Sequence, residues 1–341
     1  MKILVQKFGG TSVANLECMK KVREKVQAGL NKGYKMVVVL SARSGETNRL
    51  LALASEWSST PDPAECDSLV STGEQVSIAL FTMLLKDAGI RARSLLAWQI
   101  PIITDDDHGN ARIESIDSQR LRSYLDEYDV LVVAGFQGCT ESQRITTLGR
   151  GGSDTSAVAL AAALGSVECE IYTDVDGVYT TDPNICSSAR KMDRVAYEEM
   201  LEMASLGAGV MHSRAIELGS KYNAEIYVAS SIHDVPGTLI KEGDSNMSPM
   251  EQQAITGLAI DNDELMVSLK NVPFDMNITA QFFSDLAKKS INIDMISQTA
   301  PVYGAINISF SAPIEDLSEL RNILYDFMEK YPQVEMDINK E

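Results

Sequence analysis

The sequence of 341 residues predicts the α/β fold class: an α/β sandwich with a mainly parallel sheet, followed by a C-terminal ferredoxin-like βαββαβ domain. Strand patterns alternate with helical patterns up to about residue 230, which is typical of parallel α/β proteins. The polar stretch Lys241–Gln253 lacks periodicity and contains Pro249, so it predicts a domain boundary. Beyond it the order is strand, helix, strand, strand, helix, strand. We therefore expect domains at residues 1–245 and 246–341.

The chain opens with a predicted βαβ unit. Residues 2–8 alternate like a buried strand, and apolar residues from Val13 to Leu30 recur at helical spacing before Gly33 ends the helix. Met36–Leu40 is a continuous apolar run of strand length. Because a helix connects the two strands, we expect them to pair in parallel.

The alternation continues through both domains. In the first domain, helices are predicted near 68–88, 117–127 and 155–164, with two more across 197–222. Strands are predicted near 91–97, 130–135, 170–175 and 225–230, with one hairpin across 102–113 and another before Gly149. In the second domain, strands are predicted at 265–271, 291–298, 305–311 and 333–338, and helices at 278–289 and 315–329.

Composition limits the classes of partner. The net charge of −18 argues against nucleic acid, because binding it needs a basic face. No run approaches the roughly 18 apolar residues that span a bilayer, so no membrane segment is expected. Met1–Phe8 already reads as a strand, which leaves no room for a signal segment and predicts a cytoplasmic protein. The five cysteines form no CxxC pair and the three histidines no metal motif, so we expect free thiols and no metal held by the protein.

The first candidate site is the motif KFGGTS, residues Lys7–Ser12, where the first strand meets the first helix. Glycine lets the backbone approach a phosphate closely, and a helix start offers unpaired N–H groups and a favourable dipole. Lys7 adds a positive charge beside them. A tight turn with Thr11 or Ser12 as N-cap is the alternative, and this motif alone does not separate the two.

A second glycine-rich turn, GRGGSDT at Gly149–Thr155, also precedes a helix. The Arg150 guanidinium matches a carboxylate in a bidentate pair, and Asp154 is suited to position Lys7 or a metal on a nucleotide. A simple N-cap by Ser153 or Asp154 is the alternative. The two glycine-rich turns together favour an anion site more strongly than either one alone.

The third candidate is the loop Tyr172–Pro183, which follows a predicted strand. Its DxDG start is like that of a calcium loop, but Val178 stands where the next ligand is needed, so calcium is set aside. Tyr179 could hold an adenine and ribose, and an acidic surface turn is the alternative. The sequence contains no Walker motif, no GxGxxG after a strand and no protein-kinase motif set, so a nucleotide site here needs another scaffold.

Five motifs follow one another along the first predicted domain: KFGGTS at 7–12, SARSGETNRL at 41–50, STGEQ at 71–75, GRGGSDT at 149–155 and TDVDGVYTTDP at 173–183. They occur in the order seen in aspartokinases, and the chain resembles that family over essentially its whole length. The resemblance implies the amino-acid kinase fold and transfer of the ATP γ-phosphoryl group to the β-carboxylate of L-aspartate. The product would be 4-phospho-L-aspartate, in the first step of lysine, threonine and methionine biosynthesis, with Mg²⁺ carried by ATP.

The resemblance also implies roles for single residues. Lys7 would contact the transferring phosphoryl group, Asp154 would organise Lys7, and Arg150 would bind a substrate carboxylate. Glu74 would offset the substrate ammonium. The implied nucleotide contacts are Lys7, Phe8, Gly9, Gly10, Thr173, Asp174 and Tyr179, and the implied aspartate contacts are Ser41, Thr47, Glu74, Arg150 and Ser153.

Three residues depart from the family pattern. Gly209 stands where many relatives carry a lysine, and Asn184 stands where an arginine often follows the TxDP turn. Arg43 replaces the usual small or apolar residue of its motif. None of the three removes Lys7, Arg150 or Asp154.

Residues 255–341 resemble an ACT domain, a module that binds amino acids, through Val267–Pro273, Ile278–Leu286 and Ile291–Gln298. The usual proline–glycine turn before the first ACT helix is replaced by Asp275-Met276-Asn277. The resemblance implies a lysine or threonine effector and a homodimer or higher homo-oligomer. Aspartokinases usually carry two ACT domains, and the second is absent from this sequence; a shortened piece and a naturally short form both stay open. The implied effector contacts are Met276, Asn277, Asn292, Asp294 and Gln298.

Two other functions stay open. One is a kinase that acts on glutamate or an acylated relative, against which Glu74 and KFGGTS favour aspartate. The other is an amino-acid sensor that keeps the kinase fold without turnover. Gly209 and Asn184 favour the sensor, whereas intact Lys7, Arg150 and Asp154 argue against it.

Overall fold

The computed structural model describes residues 1–166, 168–243, 255–260, 263–289 and 291–339. The chain forms two compact units, Met1–Ile260 and Asp261–Glu341. The boundary predicted between residues 245 and 246 lies outside the described residues and stays a prediction. Residues 255–260 belong to the first unit, where the Leu258 amide donates to the Thr180 carbonyl at 2.8 Å.

The first unit alternates strands and helices, as predicted. Its strands are β1 (Ile3–Phe8), β2 (Lys35–Leu40), β3 (Ala92–Leu95), β4 (Ile102–Thr104), β5 (Ile113–Ile116), β6 (Val130–Ala134), β7 (Gln137–Cys139), β8 (Ile145–Thr147), β9 (Glu168–Thr173), β10 (Arg194–Ala196), β11 (Glu225–Ser230) and β12 (Thr238–Lys241). Its helices are α1 (Leu16–Asn31), α2 (Glu46–Trp57), α3 (Pro63–Val70), α4 (Thr72–Asp87), α5 (Ser118–Glu127), α6 (Gly152–Leu164), α7 (Tyr197–Ser205) and α8 (Ser213–Tyr222).

The main sheet of the first unit has eight strands in the order β10-β12-β11-β9-β1-β2-β6-β3. The β11–β12 pair is antiparallel and the other pairs are parallel. Helices cover both faces, so the central strands are buried on both sides and read as continuous apolar runs. Along β2, Val37 and Val39 pack toward α5–α8, whereas Val38 and Leu40 pack toward α1 and α4. This alternation confirms the predicted parallel sandwich.

A smaller sheet in the same unit has the order β5-β4-β7-β8. The antiparallel β4–β5 pair confirms the hairpin predicted across 102–113, and the antiparallel β7–β8 pair confirms the hairpin predicted before Gly149. Because β8 ends at Thr147, this small sheet leads directly into the glycine-rich turn at Gly149.

Several elements differ from the sequence prediction. The predicted helix near 68–88 is two helices, α3 and α4, which meet at Ser71. Helix α2 was not predicted, and Leu50 is its buried residue, so its apolar periodicity is weak. Strands β10 and β12 have 3 and 4 residues, too few to show a period. The strand predicted at 291–298 pairs over a short length near its end.

The helical stretch Pro63–Asp87 is long and apolar enough, by length and composition alone, to cross a membrane. This finding departs from the expectation that no such segment exists. Half of its most apolar window is buried inside the protein, and Ile78, Phe81 and Leu85 belong to the core. Buried Asp67 and Glu74 lie in the same stretch. We therefore interpret α3 and α4 as core helices.

The second unit contains β13 (Glu264–Pro273), α9 (Met276–Lys288), β14 (Ile296–Gln298), β15 (Ala305–Pro313), α10 (Leu317–Lys330) and β16 (Glu335–Asn339). Its antiparallel sheet has the order β14-β15-β13-β16. This order, with both helices packed into the core of one sheet, confirms the predicted ferredoxin-like arrangement. Phe282, Phe310 and Phe327 lie at the centre of that core, with ring centroids of Phe282 and Phe310 at 5.7 Å.

Phe310→Ala is expected to destabilise the second unit by about 3–5 kcal/mol, because it removes a fully buried ring and leaves a cavity. Tyr325→Ala is the matched control, since Tyr325 is an exposed aromatic residue of the same unit. Chemical denaturation of both variants in the whole chain measures the difference. Equal losses of stability in the two variants would contradict this account of the core.

Candidate active site

The candidate site lies at the carboxyl edge of the main sheet, where β9, β1, β2 and β6 end side by side. In parallel sheets, ligands bind at this edge because the strand ends leave a crevice there. Lys7 stands near the end of β1, Ser41 follows β2, and Thr173 ends β9. The motifs singled out in the sequence therefore meet at one edge, with Lys7 on a central strand between them.

Lys7 and Asp154 form a buried ion pair. The Lys7 Nζ lies 2.6 Å from the Asp154 Oδ1, and each residue is 8% exposed. Asp154 sits in the first turn of α6, so the helix also presents its positive end to the carboxylate. The structure thus brings together two residues that are 147 positions apart (154 − 7), as the sequence predicted for Asp154 and Lys7.

The turn after β1 packs closely against its neighbours. The Phe8 ring is fully buried and stacks on Tyr172 with centroids 4.9 Å apart, so only its backbone can face a ligand. The Gly9 amide donates to the Tyr172 carbonyl at 3.2 Å and is already in use. A Cβ on Gly10 would lie 2.8 Å from the Ala42 carbonyl oxygen, so only glycine fits. The predicted phosphate cradle therefore depends on Gly10 and the 3₁₀ turn that it opens.

Glu74 is a buried carboxylate with one unused oxygen. It is 3% exposed, and its Oε1 accepts a hydrogen bond from the Ala42 amide at 3.0 Å. Its Oε2 has no hydrogen-bond partner among the described residues. Burial raises the pKa of Glu74 to about 7. A buried acidic oxygen without a donor is suited to receive a cationic group from a ligand.

The remaining predicted substrate contacts surround the same strand ends. A Cβ on Gly135, which follows β6, would lie 2.7 Å from the Ser153 Oγ, so Ser153 packs directly on that strand end. Thr47 is half-buried in the first turn of α2. Arg150 is exposed, and its guanidinium has no hydrogen bond or ion pair with any residue in the described part of the chain.

On the other side of Lys7, the loop after β9 lines a cleft of about 530 Å³. The predicted nucleotide contacts Thr173, Asp174 and Tyr179 all line it. Gly209 and Asn184, the two departures from the family pattern, line the same cleft. A Cβ on Gly209 would meet nothing within 4 Å, so the space that a larger side chain would occupy is open.

Two groups near the site were not found from the sequence. Asp67 is 2% exposed, and its carboxylate accepts from the Thr147 hydroxyl at 2.5 Å and the Gly109 amide at 3.1 Å. Its Oδ2 also lies 2.7 Å from the His108 Nδ1. Arg214 binds backbone oxygens beside the glycine-rich turn. Asp67 and His108 lie 41 positions apart, so no local spacing links them.

The predicted effector residues lie in the second unit and are exposed. Met276 and Asn277 begin α9, where the Asp275 side chain accepts from the Asn277 amide at 2.8 Å and caps the helix. The Asn292 side-chain amide donates to the Asp294 carboxylate at 2.8 Å. Gln298 lies in β14, at one end of the sheet order. Their role as effector contacts stays a prediction.

Glu74→Gln is expected to change how stability depends on pH. Because folding raises the pKa of Glu74 from 4.5 to about 7, its contribution is present below pH 4.5 and is lost as the pH rises through 7. Relative to Glu74→Gln, the native chain should lose up to about 3 kcal/mol of unfolding free energy over that interval.

Denaturation of both proteins from pH 4.5 to 8 measures this difference, with exposed Glu56→Gln as the control. Parallel stability curves for the native chain and Glu74→Gln would contradict a buried, proton-binding Glu74.

Comparison with known proteins identifies the family. Residues 2–230 match the amino acid kinase family. An aspartokinase from Geobacillus stearothermophilus is 47% identical over 325 residues, which cover 95% of this chain and 79% of that protein. The crystal structure of E. coli aspartokinase III in complex with aspartate and ADP has a TM-score of 0.80 at 27% identity, covering 99% of this chain and 85% of that one.

A second structure of the E. coli enzyme, in complex with lysine and aspartate, has a TM-score of 0.78 at 27% identity and the same coverage. The matches extend over both units of the chain. The chain belongs to the amino acid kinase family and, within it, to the aspartokinases.

Proposed function

We propose that this chain transfers the γ-phosphoryl group of ATP to the β-carboxylate of L-aspartate, giving 4-phospho-L-aspartate. The observation that carries the proposal is the position of Lys7. Its strand, β1, lies between β9, whose loop lines the nucleotide cleft, and β2, whose loop contacts Glu74. A phosphoryl group that passes from a nucleotide in the cleft to a substrate beside Glu74 would pass the end of β1, where Lys7 stands.

The Glu74 side suits an amino acid with a free ammonium group. The unused Oε2 of Glu74 can accept from that ammonium, and the exposed Arg150 guanidinium can pair with a carboxylate. Ser41, Thr47 and Ser153 would line the remaining pocket. N-acylated substrates fit less well, because an acylated nitrogen carries no charge for Glu74 to offset.

The chemistry requires charge neutralisation rather than a general base. The aspartate β-carboxylate has an ordinary pKa of about 4 and is ionised at neutral pH, so it can attack without losing a proton. What limits the reaction is repulsion between two anions and their alignment in line. Lys7 can stabilise the charge on the transferring group, and Asp154 holds Lys7 at the strand end.

The nucleotide would lie in the cleft lined by Thr173, Asp174 and Tyr179. The E. coli relative was crystallised with ADP, which supports nucleotide use by this chain. In the described residues, no three Asp, Glu, His or Cys side chains form a metal cluster. A Mg²⁺ ion would therefore be held mainly by the phosphates of ATP, and it would neutralise part of their negative charge. Gly209 and Asn184 leave nucleotide binding here without the cationic side chains that many relatives use.

We also propose that the second unit is an ACT domain that binds an amino-acid effector. Lysine is favoured over threonine, because the E. coli relative was crystallised with lysine. Met276, Asn277, Asn292, Asp294 and Gln298 are the candidate contacts. A homo-oligomer paired through these sheets, located in the cytoplasm, completes the proposal.

A hydroxylamine trap tests the reaction. With MgATP and L-aspartate, we expect aspartyl hydroxamate to form, with little product from glutamate or N-acetylaspartate. Hydroxamate formed from glutamate and not from aspartate would favour the alternative function, a kinase that acts on glutamate. Bound ATP without any hydroxamate would favour the non-catalytic sensor.

Lys7→Ala is expected to lower kcat by about a hundredfold or more, because it removes the cation at the phosphoryl group. Lys35→Ala is the matched control: Lys35 is also a partly buried lysine in an ion pair, 3.0 Å from Asp129, but at the opposite edge of the sheet. Near-native turnover in Lys7→Ala, with both variants folded, would refute the role of Lys7.

A further inference from the structure

Arg214 is tied to the turn that carries Arg150, although it is not among the expected substrate or nucleotide contacts. It lies half-buried in the first turn of α8. Its guanidinium donates to the Leu148 carbonyl at 2.6 Å and to the Ala111 carbonyl at 2.7 Å. A third hydrogen bond reaches the Asn110 Oδ1 at 3.1 Å. Leu148 directly precedes the glycine-rich turn, so Arg214 holds the backbone at its entrance.

Neighbouring residues enclose the same turn on both sides of Arg150. The Asn110 Oδ1 would lie 2.9 Å from a Cβ on Gly149, and the His212 Cβ would lie 2.2 Å from a Cβ on Gly151. His212 is the N-cap of α8, directly before the helix that carries Arg214. The start of α8 therefore contacts the turn both before and after Arg150.

The turn itself has little intrinsic rigidity. Gly149 and Gly151 have φ angles of +76° and +67°, a region that glycine enters freely and other residues rarely do. The conformational freedom of these glycines must be restricted by contacts from outside the turn. Since the Arg150 side chain has no partner in the described part of the chain, the backbone of this turn sets where that side chain begins.

The contacts of Arg214 indicate a structural rather than a ligand-binding role. Three of its N–H groups already point to protein oxygens, and two of these oxygens are backbone carbonyls. Hydrogen bonds from a charged donor are stronger than those between neutral groups, so this anchor is strong compared with a neutral turn contact. Three of the five N–H groups of this guanidinium are therefore committed to protein oxygens.

We propose that Arg214 is a positioning residue that fixes the Gly149–Gly151 turn, so that Arg150 meets the carboxylate of the substrate. The proposal rests on the function proposed above. A displaced Arg150 would weaken binding of the amino acid, while Lys7 and Asp154 keep their contact. The defect should therefore appear in the KM for aspartate.

Steady-state kinetics of Arg214→Ala, Arg214→Lys and Asn110→Ala tests the proposal. For Arg214→Ala we expect the KM for aspartate to rise about tenfold or more, the KM for ATP to change less than about twofold and kcat to fall less than about threefold. Arg214→Lys should restore part of the affinity, because a lysine can still donate to one of the carbonyls. Asn110→Ala should raise the KM for aspartate by about twofold to threefold, because it removes one hydrogen bond.

Arg91→Ala is the control for loss of an arginine, since Arg91 pairs with Asp129 at the surface. An unchanged KM for aspartate in Arg214→Ala overturns the proposal, as do equal increases in both KM values, which indicate general damage. If Arg214→Ala does not fold, native KM values in both Arg214→Lys and Asn110→Ala overturn it. Absence of aspartate-dependent turnover in the native chain refutes the proposed function itself, a result distinct from all of these.

Discussion

The position of the Lys7 ammonium group, paired with Asp154, is the constraint on which the rest of the site depends. Two anionic substrates must meet in a chain with a net charge of −18, so positive charge has to be concentrated locally. The pair lies 2.6 Å apart and is mostly buried, where the attraction between charges is stronger than in water. Asp154 holds the Lys7 Nζ at the end of β1, and the other candidate residues lie at the neighbouring strand ends.

The sheet gives that cation its position. Strand β1 is paired in parallel on both sides, to β2 and β9, so its carboxyl end is held by two ladders of hydrogen bonds. The other groups proposed to contact substrates come from loops and helix starts beyond the strand ends. Close approaches at Gly10 and Gly135 let those loops pack against the sheet edge. The strand thus positions the lysine, and the loops carry the other candidate contacts.

The sequence was sufficient for features with a local signal. Periodicity predicted the parallel sandwich and the ferredoxin-like order, and the family resemblance of the glycine-rich motifs implied that Asp154 organises Lys7. Short strands such as β10 and β12 carry no measurable period, and their pairing depends on neighbours far along the chain. The contacts of Asp67 and Arg214 were also missed, because hydrogen bonds to distant backbone oxygens leave no pattern in the sequence. The use of the Gly9 amide by Tyr172 likewise depends on tertiary structure.

The burial of Glu74 also links ligand binding to protons. Because burial raises the pKa of Glu74 to about 7, the free carboxyl group is partly protonated at neutral pH. An ammonium group bound at its Oε2 would lower that pKa, and the proton would leave for the solvent. Binding of the amino acid would therefore release protons, and its heat would vary with the ionisation enthalpy of the buffer. In the protonated fraction the pocket therefore exchanges one positive charge, the proton on Glu74, for another, the ammonium group of the ligand.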